Sequence, residues 1–199
     1  DNGLNRYNEL FGNFEKITID DGSNKNAIAQ NSVNVLYEDD QQQLWIGTDQ
    51  GLLVRSPTGE INHYHHDAAA EHSLGQGAIR DIIQDSQGRL WIGTERGGLN
   101  LFENEAGRFK RYVHDKQAPN SISNNNVRAI LEDQDGKIWV ANFNGAISVL
   151  DTETDLFDRL ESPTGTTVSR TRTLLKDAQN RIWIGTNSGL YLRAEDGYR

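Results

Sequence analysis

The stretch GRLWIGTERGGLNLF, Gly88 to Phe102, has three relatives in the same chain. They are QQLWIGTDQGLLVR around Trp45, GKIWVANFNGAISVL around Trp139 and NRIWIGTNSGLYLR around Trp183. The four tryptophans are the only ones present and fall 46, 48 and 44 residues apart. Self-similarity at a near-constant period constrains a fold more than any other sequence property. The agreement also reaches upstream: VNVLYEDDQQQLW, IRDIIQDSQGRLW, VRAILEDQDGKIW and TRTLLKDAQNRIW each begin twelve residues before the Trp. The repeated unit is therefore a whole supersecondary element.

One unit, Val127 to Leu160, reads VRAILED, KIWVANF, AISVLD and LFDRLE, separated by turn residues. Short segments rich in β-branched, aliphatic and aromatic residues between turn signals are consecutive antiparallel strands, here A, B, C and D. Asp135-Gly136 and Asn144-Gly145 are tight-hairpin signals and predict type I′ turns, which need φ > 0 at both central residues. Strands A and B show little strict alternation, as expected where neighbouring sheets cover both faces. Four-stranded antiparallel units at a period in the mid-forties predict an all-β fold of β-propeller blades. In that arrangement each Trp lies on strand B, as packing between adjacent sheets.

The expected boundaries are 33–78, 79–126 and 127–170 for complete blades, with 1–32 a partial blade of strands C and D and 171–199 a partial blade of strands A to C. GLNRYN at Gly3 to Asn8 aligns with strand C and FEKIT at Phe14 to Thr18 with strand D. Strand C then occurs at both ends, whereas a closed four-blade ring needs one copy. The surplus predicts about four blades cut from a larger array of the seven-bladed type, with open end sheets prone to self-association. The alternative is a ring in which FEKIT completes the last blade.

Composition excludes several classes. The net charge of −9, with a pI near 5.0, argues against a nucleic-acid partner, which needs clustered Lys and Arg. The chain has no cysteine, so disulfides, thiolate catalysis and cysteine-ligated metals are absent. No apolar run suggests a membrane helix, and DNGLNRYNEL resembles no signal peptide.

Asp39, Asp85, Asp133 and Asp177 close strand A in every unit, where an Asp accepts hydrogen bonds from turn N–H groups. DQDG at Asp133 to Gly136 lacks the later ligands of a calcium loop. HYHHD at His63 to Asp67, with His72 nearby, invites a zinc reading, but its place on outer strand D and the following linker predicts a solvated edge. No metal and no cofactor are expected. Nor can a Ser-His-Asp trio or a recurrent catalytic dyad be assigned.

The unit, met as IRDIIQDSQGRLWIGTERGGL, resembles the two-component regulator propeller repeat of the extracytoplasmic sensor regions of bacterial hybrid histidine kinases and diguanylate cyclases. The linker FKRYVHDKQAPNSISNNNVRAI is similar to that family's passage from strand D to the next strand A. The third unit departs, with Ala141-Asn142 for Gly-Thr and Ala146 for Leu. The resemblance implies a non-catalytic, periplasmic, ligand-sensing or interaction module of a membrane-anchored signalling receptor, with its catalytic output domain elsewhere. It leaves the ligand unspecified, a saccharide or an anionic small molecule. Members are also similar to streptogramin-lyase-type propellers, so the alternative is an enzyme with a divalent metal at the channel mouth.

The candidate site is the second residue of strand A: Asn34, Arg80, Arg128 and Arg172. Strand A is innermost in a propeller, so these residues should rim one channel mouth, with the linkers AQNS, GQGA, SNNN and VSRT. Converging arginines bind carboxylate, sulfate or phosphate bidentately. The competing reading pairs each Arg with an acid of a neighbouring blade.

Overall fold

A computed structural model describes residues 4–17, 32–103, 107–160, 170–194 and 197–198. Every regular element among them is a strand. The first sheet pairs β1 (Leu4–Asn8) with β2 (Asn13–Ile17). Three four-stranded sheets follow in strict meander order. They are β3 (Val33–Glu38), β4 (Leu44–Thr48), β5 (Leu52–Arg55) and β6 (Ile61–Tyr64); β7 (Ile79–Gln84), β8 (Leu90–Thr94), β9 (Leu99–Glu103) and β10 (Arg108–Tyr112); and β11 (Val127–Glu132), β12 (Ile138–Asn142), β13 (Ile147–Asp151) and β14 (Leu156–Leu160). The last sheet holds β15 (Thr171–Lys176), β16 (Ile182–Thr186), β17 (Gly189–Ala194) and a two-residue β18 (Gly197–Tyr198). It thus carries a short fourth strand where the sequence suggested three. All pairs are antiparallel, and β3, β7, β11 and β15 contact one another in succession, which makes strand A the inner strand. The fold is that of β-propeller blades. Gly3 and Thr18, the ends of the two segments aligned with strands C and D, lie outside the described residues.

The core lies between sheets. Trp45, Leu52 and Val54 of one sheet meet Ile79, Ile82, Ile92 and Phe109 of the next. Trp91 and Leu99 then meet Val127, Ile130, Val140 and Phe157, and Trp139 and Ile147 meet Ile182 and Ile184. Each large ring buries about 150–250 Å² in such a contact, which stabilises by about 4 kcal/mol or more. Strands β8 and β12 are buried along their whole length, which accounts for the missing alternation.

The strand A to B turn is an Asp-centred knot. Asp85 Oδ1 accepts the backbone N–H of Gln87 at 3.0 Å and of Arg89 at 2.8 Å, while Oδ2 accepts the Trp91 indole N–H at 2.8 Å. The same three bonds recur at Asp39 with Trp45, Asp133 with Trp139 and Asp177 with Trp183. The carboxylates at these positions are engaged in turn closure and Trp anchoring. The type I′ expectation fails at both sites: at Asp135-Gly136 only Gly136 has positive φ, +75°, and at Asn144-Gly145 neither residue does. A five-residue turn held by Asp133 needs only one left-handed position. Gln42, Gly88 and Asn180 occupy that position in the other sheets.

The linkers are also stapled. His66 Nδ1 bonds Leu74 O at 2.9 Å and His114 Nδ1 bonds Ile122 O at 2.8 Å, with Asp67–Ser73 and Asp115–Ser121 closing each loop. Leu74 and Ile122 are thereby buried in the core. The solvated-edge reading of HYHHD therefore misses His66, whose ring has a fixed structural partner.

Neighbouring sheets are clamped at the outer edge as well. The Tyr112 hydroxyl donates to Asp155 Oδ1 at 2.7 Å, and Lys110 pairs with Asp155 Oδ2. The Lys110 bond, aided by Tyr112, holds the Asp155 carboxyl below its ordinary pKa, whereas burial beside Asp155 raises that of Tyr112. A depressed folded-state pKa gives stability that is full above the unfolded value, near 3.9, and is lost as pH falls through the lower, folded one. In Asp155→Asn, which still tolerates the φ of +61° here, part of the stability loss below about pH 4 should vanish. At neutral pH the variant should lose about 1 kcal/mol or less, because the pair is half exposed. Urea midpoints across pH 2.5 to about 7 check this, and parallel profiles for the two proteins would refute the clamp.

Candidate functional site

All four candidate residues sit in the same local irregularity. In β3, pairing with β4 skips from Val33 to Val35, and β7, β11 and β15 skip from Ile79 to Asp81, Val127 to Ala129 and Thr171 to Thr173. Asn34, Arg80, Arg128 and Arg172 are therefore the extra residues of four equivalent β-bulges. A bulge leaves one residue out of the ladder and re-aims its side chain. A two-for-one register change leaves no mark in residue type, so the sequence predicts the position and not its cause.

Each bulge residue has a partner fifteen places on, at the position just past strand B. Asn34 Nδ2 donates to Asp49 Oδ1 at 2.8 Å, Arg80 Nη2 to Glu95 Oε1 at 3.0 Å and Arg172 Nε to Asn187 Oδ1 at 2.8 Å. In the third sheet this place belongs to Phe143, and the Arg128 guanidinium carbon lies 4.8 Å from its ring centroid. Arg172 of the following sheet reaches the same ring at 4.9 Å, and Arg128 reaches back to Glu95 at 3.6 Å. The rim is thus a continuous row: Arg80, Glu95, Arg128, Phe143, Arg172, Asn187. Sequence reading missed its second half. The signal was present in GTDQG, GTERG, ANFNG and GTNSG, where the residue after the strand-B Thr or Asn varies among Asp, Glu, Phe and Asn.

Arg80 is paired with an acid, as the competing reading holds, although the acid belongs to its own sheet. Arg128 pairs with that same Glu95 across the joint at 3.6 Å, an acid of the neighbouring sheet as the competing reading expects, and among the described residues Arg172 has no acidic partner. Burial of Arg128, with Arg80 and Arg172 beside it, lowers its pKa below the usual arginine value, and Glu95 opposes the shift. Beneath the rim, Asp81 accepts Ile130 N–H at 2.7 Å and its own neighbour's N–H, and burial raises its pKa. Of the four linkers, GQGA and SNNN are described. Ala29 to Asn31 of AQNS and Val168 and Ser169 of VSRT lie outside the described residues.

The third unit's departure has a structural use. Asn142 Nδ2 donates to Asn124 O at 2.7 Å, and its Oδ1 accepts the Ser123 and Ser148 hydroxyls at 2.9 and 3.0 Å. Elsewhere Thr48, Thr94 and Thr186 instead close the strand B to C turn on Gly51, Gly98 and Gly189. His63 and His65 have ring centroids 5.6 Å apart. Among the described residues no group of three or more His, Asp or Glu side chains is placed to hold a metal ion.

Repeated four-stranded sheets, inner strands in contact and a rim built from equivalent bulges define a β-propeller repeat protein. The chain belongs to the two-component regulator propeller family, whose repeat it matches at residues 27–50, 73–96, 121–144 and 165–188. Among solved structures it is similar to a chain described as the extracellular domain of a hybrid two-component system from B. thetaiotaomicron. Identity is 22% and TM-score 0.74, over 84% of this chain and 24% of that one. It is also similar to virginiamycin B lyase from Staphylococcus aureus, at 14% identity and TM-score 0.70, over 100% of this chain and 62% of that one. At these identities the likeness is one of fold, and the chain spans less than two thirds of either relative. No curated protein matches the sequence. No helix among the described residues is long and apolar enough to cross a membrane.

Proposed function

We propose that this chain is a non-catalytic ligand-sensing or interaction module from the extracytoplasmic, periplasmic sensor region of a bacterial membrane-bound signalling receptor. The output domain lies elsewhere in the parent protein. The observation that carries the reading is the row of re-aimed Arg, Glu and Phe side chains at one mouth of a repeat fold, joined to family membership. Propeller mouths are favoured ligand sites because inner strands converge there on one concave surface.

The alternative, a lyase-like enzyme, is favoured by the fold likeness to virginiamycin B lyase. Such an enzyme should carry a His-Glu-type acid/base pair and a divalent-metal site over the mouth, whereas the four bulge residues and their partners here are Arg, Asn, Phe, Asp and Glu. Thermal-shift screening of the chain against sugars, organic acids and divalent metals tests both. A ligand at a hundred times its Kd should add about 2.7 kcal/mol of stability. Metal-dependent turnover of a small lactone would overturn the sensing assignment.

A further inference from the structure

The Arg128 guanidinium carries five N–H donors. Among the described residues none of them makes a hydrogen bond. Its Nε is buried without a partner, and its nearest carboxylate, Glu95, stands at 3.6 Å and is already bonded to Arg80 at 3.0 Å. The side chain is only 19% exposed. Buried polar groups in native proteins are nearly always bonded, so an exception calls for an explanation. Arg172 donates through Nε to Asn187 and makes no other hydrogen bond among the described residues. Arg80 and Arg128 thus share the one Glu95 carboxylate, and among the described residues no carboxylate pairs with Arg172.

Phe143 makes the arrangement specific. Its equivalents Asp49, Glu95 and Asn187 accept a bond from their own bulge residue, and a Phe cannot. The ring instead lies within about 5 Å of both guanidinium carbons. Stacking holds a guanidinium in place through its face and leaves the N–H edges available for a forked bond to an oxyanion. We infer that Arg128, Phe143 and Arg172 form an oxyanion seat that takes the carboxylate or sulfate group of a ligand. This rests on reading the rim as the ligand-binding mouth. Glu95 is then an internal competitor, holding Arg80 and the near side of Arg128 until the ligand arrives. Burial is the main cause of the lowered Arg128 pKa, and such an anion would relieve the repulsion from Arg80 and Arg172 that adds to it.

The test titrates the whole chain with sodium sulfate and, separately, sodium succinate against sodium chloride at matched ionic strength. Arginine Nε–Hε NMR signals are followed. The Arg128 and Arg172 signals should shift saturably with either anion. Arg128→Gln should raise the dissociation constant about tenfold or more, as expected for losing charge-assisted bonds. Glu95→Gln should lower it, because a competing carboxylate is gone. Arg6→Gln, on the β1–β2 hairpin, should leave it unchanged. The Glu95 variant keeps the test decisive if Arg128→Gln fails to fold, since a purely structural clamp predicts lost stability and no tighter binding. Saturation by neither anion, or equal constants in wild type and Arg128→Gln, overturns the seat. A neutral sugar that shifts rim signals and is indifferent to Arg128→Gln would overturn the seat and leave the sensing assignment intact.

Discussion

Trp91→Ala should cost this chain about 3–5 kcal/mol, the range for removing a buried Trp, out of a total stability of about 5–15 kcal/mol. Trp91 is 1% exposed and packs on the inner and outer strands of the following sheet. Its loss leaves a cavity between two sheets and removes the indole bond to Asp85, which also organises the turn. The repeat supplies an internal control. Trp183 occupies the same position and makes the same bond to Asp177, but no described sheet follows it, and its neighbours Leu175 and Leu190 are exposed. Trp183→Ala should therefore cost less than about 2 kcal/mol, chiefly the lost bond and partial burial. Urea unfolding of both variants, followed by circular dichroism, reads the difference. Equal costs would mean that the Trp stabilises its own turn and not the joint between sheets.

That contrast also marks how far the sequence could be read. Strand order, the place of each Trp and the turn role of each Asp follow from side-chain chemistry at fixed spacing, and the structure agrees. The second bond of each Asp, to the indole six residues on, was equally available in the constant Asp-to-Trp distance, but chain proximity alone does not reveal a side chain that folds back. The bulges were not available. They insert a residue without altering the apolar pattern, because Val33 and Val35 flank Asn34 as they would in a regular strand. The role of Phe143 depends on two sheets meeting, since Arg172 comes from the next unit. Within one repeat Phe143 reads only as an odd residue at a turn.

Gly93→Ala should destabilise by about 1–3 kcal/mol, the cost of overpacking a filled interior. Its φ lies outside the left-handed region, so a methyl group there meets no backbone penalty, and reduced freedom of the unfolded chain would favour Ala by about 0.4–1 kcal/mol. Contact reverses the sign. A Cβ at Gly93 would stand 2.6 Å from Val127 Cγ1 and 3.3 Å from Ile130 Cδ1, both in the inner strand of the following sheet. Gly47 meets Ile79 in the same way at the preceding joint, at 2.6 Å. The glycine of the Gly-Thr pair therefore sets how closely successive sheets approach at the inner rim. The third unit carries a buried Ala141 there, so its joint with the last sheet accommodates the methyl. Val127→Ala should open the same space at the second joint, and in that background Gly93→Ala should cost at least about 1 kcal/mol less than alone. The double-mutant cycle, measured by urea midpoints at constant slope, separates contact from propensity. Strict additivity of the two substitutions would show that the glycine is kept for a reason within its own strand, and that sheet spacing is set elsewhere.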